Sequence, residues 1–264
     1  MKYLVICILT ILFIFSSCSK YDKLLKSDDF ELKYRKALYY YFDKEDYVKA
    51  GNLFENIAPY YRATDKIDTI SYYQAMCTYR QGDYLLAAYY FKTLTNLYPN
   101  SPFAEESEYM NGYCYYISSP VPSLDQTNTY KAIEAFEIYL RKYEGNNRDE
   151  EVKKFMIELR DKLVEKSWKN AKLYFDLEQY KASLIALNNS LNKYPETRYR
   201  EDILFLILKS SYLLAENSVL AKRNDRYQAT IDAYYSFIDE YPRSKYSSEA
   251  KDIYSRTQIY LNKR

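Results

Sequence analysis

The chain has no histidine. That excludes His-based triads, His general acid–base chemistry and His-ligated metals. Glycine is rare, at 4, and proline only slightly less so, at 7 in 264 residues. So few breakers predict long regular elements. There are 4 cysteines, none in a CxxC pair, and a single tryptophan, Trp168. No charge dominates: the net charge is +2, and removing residues 1–17 takes away only Lys2 and leaves +1. Without a basic field, nucleic acid is not expected as a partner. Apolar runs are also scarce. The longest, Tyr3–Phe15, has 13 residues, short of the roughly 20 that a membrane-spanning helix needs. No spacing of carboxylates or lysines suggests catalysis, so the chain is read as non-enzymatic, with no cofactor and no metal.

What is present points to a folded domain. Hydrophobic residues make up 48% and charged residues 28%, the balance of a globular chain. Tyrosine occurs 35 times. Its ring can pack while its hydroxyl stays wet.

The N-terminus has the form of an export signal: Met1-Lys2, the apolar run, then Ser16-Ser17-Cys18. The small residues before Cys18 resemble a bacterial lipobox, with Phe15 where lipoboxes usually carry Leu. Cleavage would leave Cys18 as the new N-terminus, open to diacylglycerol attachment and N-acylation. The alternatives are an uncleaved anchor helix and an ordinary signal with an incidental cysteine. Ser19 and Lys20 follow the cysteine; the absence of Asp there favours the outer membrane, by resemblance. The expected organisation is a signal over 1–17, a polar tether over 18–27, repeat units 1–3 over 28–147, and units 4–5 with a capping helix over 148–264.

The mature part repeats itself. A Tyr is followed at +3 by a small or β-branched residue, at +7 by a bulky apolar one, and at +14 by Tyr, usually with Pro next. Tyr47, Ala50, Phe54 and Tyr61 form one instance; Tyr84, Ala87, Phe91, Tyr98 and Pro99 the second. Thr129, Ala132, Phe136 and Tyr143 form the third, with Glu144 in the Pro place. Tyr180, Ser183, Leu187, Tyr194 and Pro195 form the fourth, and Tyr227, Thr230, Tyr234, Tyr241 and Pro242 the fifth. Offsets of 3, 7 and 14 lie on one helical face. The small residue lets a partner helix approach, the bulky one fills the gap, and Pro ends the helix. Each marker helix is preceded by another; in the first unit Tyr34, Ala37, Leu38 and Tyr41 make its stripe over about 29–43, with Asp28 as the expected N-cap and Glu31 three residues on. Gln81-Gly82-Asp83 reads as a tight turn.

The pattern resembles the second helix of the tetratricopeptide repeat, so the expected fold is all-α: a tetratricopeptide-like solenoid of about five helix pairs plus a C-terminal capping helix, about Tyr246–Leu261. The markers are 37, 45, 51 and 47 residues apart, longer than the roughly 34 of a regular repeat. The excess is assigned to a loop at Ser118–Asn128, a long helix at about Arg148–Leu177 and a polar loop around Asn217–Asn224. Cys77 and Cys114 read as buried thiols. Glu105, Glu106 and Glu108 read as a solvated helix face. Most tyrosines read as core; Tyr39, Tyr72, Tyr73 and Arg80 are the candidates for meeting a ligand on the inner face.

The signal, the five stretched units and the order of their motifs resemble the BamD family, the lipoproteins of the outer-membrane β-barrel assembly machine. The local matches are Tyr98-Pro99-Asn100-Ser101, Asp125-Gln126-Thr127 before Ala132 and Phe136, and Tyr194-Pro195-Glu196-Thr197 followed by Asp202-Ile203-Leu204. The resemblance covers nearly the whole mature chain. It implies a scaffold lipid-anchored on the periplasmic face of the outer membrane. Its C-terminal units would bind the barrel-forming subunit, and its N-terminal units would receive unfolded outer membrane proteins. The family often has a basic residue before the Asp at position 202, used in contacting that subunit; here Glu201 stands there, with Arg198 and Arg200 nearby as the candidate contacts. Asp125, Gln126 and Thr127 read as capping rather than binding.

Three other readings compete. A nutrient-binding lipoprotein of the SusD type also builds on such helix pairs but needs far more chain for its sugar site. A generic periplasmic tetratricopeptide adaptor would need only the stack. A carboxylate glycosidase would need two acids converging in a deep pocket.

Overall fold

The computed structural model describes residues 20–263. Among them are twelve helices and no strand. Residues 20–25 form a short helix, α1. It is followed by α2 (Phe30–Phe42), α3 (Tyr47–Tyr61), α4 (Ile67–Arg80), α5 (Tyr84–Leu97), α6 (Ala104–Ile117) and α7 (Thr127–Lys142). Then come α8 (Asp149–Asp176), α9 (Tyr180–Lys193), α10 (Arg200–Glu216), α11 (Leu220–Glu240) and α12 (Ser247–Asn262). The expected all-helical, tetratricopeptide-like architecture is what the chain adopts, with consecutive helices packed on one another from α2 to α7 and from α9 to α12.

Local chemistry sets the boundaries. Asp46 and Asp83 cap α3 and α5, accepting from Lys49 N (3.0 Å) and Leu86 N (3.2 Å). Gly82 turns the chain before α5 with φ +84°, a backbone state that glycine enters without steric cost. Four of the five terminal tyrosines, Tyr98, Tyr143, Tyr194 and Tyr241, are C-caps whose N–H bonds back to the last turn. Three precede a proline, which disfavours the α conformation in the residue before it. Asp125 Oδ1 accepts at 2.9 Å from the N–H of Thr127, the first residue of α7, whereas Gln126, the N-cap, makes no side-chain capping bond to the helix backbone; its Oε1 accepts from the Thr129 hydroxyl at 2.7 Å.

The markers point where their spacing puts them. Ala50, Ala87, Ala132, Ser183 and Thr230, the small positions, are fully buried. So are Phe54, Phe91, Phe136 and Leu187 at the bulky position, with Tyr234 nearly so.

Two compact units result. The first runs through Pro120 and resumes over Asp125–Leu159; the second comprises Val121–Leu124 and the chain from Arg160 on. The first holds two core clusters, one around Phe54 and Ile57, the other around Phe91, Phe136 and Tyr139. The second is built around Leu187 and Ile203 and around Leu208 and Phe237. No helix among the described residues is long and apolar enough to cross a membrane.

Four details differ from the sequence reading. The cap of α2 is Asp29, not Asp28: Asp29 Oδ1 accepts from Leu32 N at 2.8 Å. Glu31 does not reach back to the cap but is drawn to Lys66 Nζ (2.8 Å) and the Tyr61 hydroxyl (3.0 Å). Within 18–27, read as polar tether, α1 packs Tyr21, Leu24 and Leu25 against the first core cluster. The polar stretch 217–224 is mostly helix, because α11 begins at Leu220. Its Arg223 turns back to donate to Ser218 O (2.8 Å) and Glu216 O (3.1 Å), satisfying carbonyls at the end of α10.

Candidate partner-binding site

The residues singled out for binding divide by what holds them. Tyr73 is half-buried against the core: its ring lies edge-on to Tyr41 and Phe42 and stacked on Phe54 at 6.0 Å. Tyr72 stacks on Phe103 at 4.5 Å and 15°, and burial pushes its hydroxyl pKa far up. Both rings serve packing. Arg80 is exposed, with its guanidinium 5.8 Å from the centre of the Tyr47 ring. Tyr39 is 37% exposed, flanked by Lys36 Nζ at 4.8 Å and Lys44 Nζ at 5.6 Å. Cys18 lies outside the described residues.

Arg198 and Arg200, two residues apart, have different partners. Arg200 is spent internally: Nη2 donates to Glu240 Oε2 (3.0 Å), Nε to Glu240 Oε1, and Nη1 to Pro195 O (2.9 Å). The pairing holds the Glu240 carboxyl below its ordinary range, against the opposing effect of burial. Asp202 is likewise engaged, by Lys245 Nζ (3.0 Å) and the Tyr246 hydroxyl (2.5 Å). Arg198 instead stays 56% exposed. Its Nη2 donates to the Tyr199 hydroxyl at 3.0 Å, its guanidinium lies 5.0 Å from the centre of that ring, and its approaches to Glu165 (3.5 Å) and Asp161 (3.9 Å) are long. Tyr199 in turn stacks on Trp168 at 5.6 Å and 16°. The result is a ladder of indole, phenol and guanidinium.

This ladder adjoins an open groove in the second unit. The turn after α9, Lys193–Arg198, forms one wall, and Arg160, Asp161 and Val164 of α8 form the other. Both signs of charge line it, so it suits a peptide with mixed charge better than a small anion. The same unit has an apolar hollow between the α8–α9 and α10–α11 turns, lined by Tyr180, Ala182, Ile185 and Leu214. Near it Leu177, Val219 and Leu220 stand 57–68% exposed. Sequence reading missed this hollow, because Leu214 of α10 joins residues of α9 to line it, a pairing set by packing between helices.

The acidic cluster of α6 is a solvated face only in part: Glu105 is exposed and Glu106 half-buried, but Glu108 departs from the reading. Glu108 is fully buried, receiving Lys92 Nζ at 2.8 Å and Lys142 Nζ at 2.6 Å. Glu106 pairs with Arg148 at 2.6 Å, and Glu105 with Asn146. Burial alone would raise the Glu108 pKa; the bonds from Lys142 and Lys92 outweigh it and lower it. A carboxyl held ionised between two ammonium groups is a structural pin, not an acid catalyst. Cys77 and Cys114 are buried free thiols, pushed up to about 12 by burial.

Comparison with known proteins supplies the frame. A family model described as YfiO, outer membrane lipoprotein, matches residues 29–227. No curated protein sequence matches the chain. Eighteen chains of solved structures do. One is the crystal structure of the P58(IPK) TPR domain, 13% identical, with 92% of this chain and 68% of that chain covered and a TM-score of 0.42. The family match takes in most of the helices described above, from the cap of α2 into α11. By that match, this chain belongs to the YfiO family of outer membrane lipoproteins.

Proposed function

We propose that the chain is a non-enzymatic scaffold, acylated at Cys18 and held on the periplasmic face of the outer membrane, that works in β-barrel assembly. Its second unit binds the barrel-forming subunit, and its first unit helps receive unfolded outer membrane proteins. The observation that carries the reading is the family match over 29–227, which joins a lipoprotein family to a stack of helix pairs. The surface supports it: Arg198 is offered on a stacked support beside a groove of mixed charge. Preorganised arginine and aromatic groups are the usual anchors of protein interfaces. Stacked helix pairs bind by shape and a few anchors, and no bond need be made or broken.

Affinity purification of the tagged chain from membranes in mild detergent tests the partnership. A large β-barrel protein with periplasmic repeats should co-purify. Arg198→Glu should reduce its recovery roughly tenfold, the effect of about 1.4 kcal/mol at a hot spot. Recovery of no such protein with a functional tagged chain would sink the assembly reading. Incorporation of a labelled lipid precursor tests the anchor: Cys18→Ala should abolish it, and equal labelling of both forms would rule the anchor out.

A further inference from the structure

We infer that one face of the first unit, the tyrosine–lysine surface around Tyr39, lies on the lipid headgroups, set there by a link too short to let it leave. The inference rests on the proposed acylation of Cys18 and adds to it an orientation. Only Ser19 separates Cys18 from Lys20, the first described residue. Two residues span at most about 7 Å even when extended. α1 therefore begins within headgroup reach of any acyl chains on Cys18.

α1 is not free to swing. The Tyr21 hydroxyl donates to Lys49 O at 3.1 Å. The Tyr21 ring meets Tyr40 edge-on at 5.8 Å and 84°. Lys49 Nζ lies over both rings, at 5.8 and 5.5 Å. Leu24 and Leu25 pack into the core cluster behind them. Whatever fixes α1 thus fixes the first helix pair.

Continuity of rings then says which face meets the bilayer. Tyr40 touches Tyr39 at 5.7 Å, and Tyr39 emerges between Lys36 and Lys44. Lys20 and Lys23 are exposed on α1 itself. Tyrosine and lysine suit the interface: the ring sits at headgroup depth, and the ammonium group reaches lipid phosphate. The acids Asp22, Asp43 and Glu45 stand among these lysines, so charge alone gives little net attraction. The surface orients a molecule that the acyl chains hold.

The test uses the acylated full-length chain in vesicles of phosphatidylethanolamine and phosphatidylglycerol. A nitroxide is placed at Lys23→Cys, Tyr39→Cys or, as control, Tyr89→Cys, an exposed α5 position (62%) of the same unit. Cys77 and Cys114 are buried, with thiols raised to about 12, so the introduced cysteine takes the label. Collision with a water-soluble nickel chelate should fall at least about threefold at 23 and 39, relative to an unacylated Cys18→Ser chain, and stay unchanged at 89. Ten Gly and Ser residues inserted between Ser19 and Lys20 should restore access at 39. Labels at 23 and 39 as open as that at 89, in a chain whose mass confirms acylation, would overturn the orientation alone. So would shielding that persists with the inserted linker. A mass without acyl groups would overturn the lipoprotein reading and the orientation with it.

Discussion

Glu108 shows how a single residue can be invisible to sequence. Beside Glu105 and Glu106 it looks like part of a wet helix face, because its partners come from other helices, 16 and 34 residues away. In the fold it is fully buried, whereas its lysines are 36% and 46% exposed. That asymmetry decides what each substitution costs. Glu108→Gln leaves two lysines that can turn to water, and the amide keeps part of the bonding, so the loss should be about 1–2 kcal/mol. Lys92→Met with Lys142→Met strands a buried carboxylate, and the loss should be roughly 3–5 kcal/mol. The two also respond oppositely to pH. In the native protein the carboxyl is depressed, so its contribution is complete above the ordinary carboxylate range, about 4.3, and is lost as pH falls through the lower folded value. In the double variant burial acts unopposed and raises the folded value. Stability is then highest at acid pH and falls as pH rises through that raised value. Urea unfolding at pH 4 and pH 7 checks this: the double variant should close much of its deficit at pH 4, and a constant deficit would contradict the pin.

At the scale of elements, the marker pattern was legible because it is local: offsets of 3 and 7 report one helical face, and those positions are buried in all five units. What escaped was geometry between elements. Nothing in the sequence told that α1 would fold back onto Tyr40, or that Arg223 would cap α10 and let α11 start early. For the candidate site, sequence placed Arg198 and Arg200 together but could not separate them, since Glu240 lies 40 residues from Arg200. Gly112 is a similar case. A Cβ there would come within 2.6 Å of Phe136 Cδ1 and 2.7 Å of Cε1, so α6 and α7 approach as closely as they do only because it is glycine. Gly112→Ala should gain about 1 kcal/mol of helix propensity. It should lose about 1–3 kcal/mol to overpacking against a fully buried ring, for a net destabilisation of up to about 2 kcal/mol. Placed on a Phe136→Leu background, the same change should cost clearly less. Additive costs in the double-mutant cycle would show that the ring is not what the glycine accommodates.

The whole molecule inherits this locality. Each core cluster draws on helices close in sequence: the one around Phe136 takes residues from α4 to the first half of α8, and the one around Leu187 takes residues from the second half of α8 to α10. In such a stack, stability is nearly a sum of unit terms and nearest-neighbour interfaces. Opening free energies should accordingly differ along the chain. A strain introduced between α6 and α7 is therefore felt where that interface lies and not throughout. Native-state hydrogen exchange of Gly112→Ala should show faster exchange in α5, α6 and α7, by roughly tenfold for each 1.4 kcal/mol lost. Exchange in α10 and α11, which share the cluster around Leu208 and Phe237, should stay within twofold of the parent. Uniform acceleration across both units would mean that the chain opens as one cooperative body. A partner bound to the second unit would then report on every disturbance of the first; under local opening, variants of Phe136 and Gly112 should leave recovery of that partner unchanged.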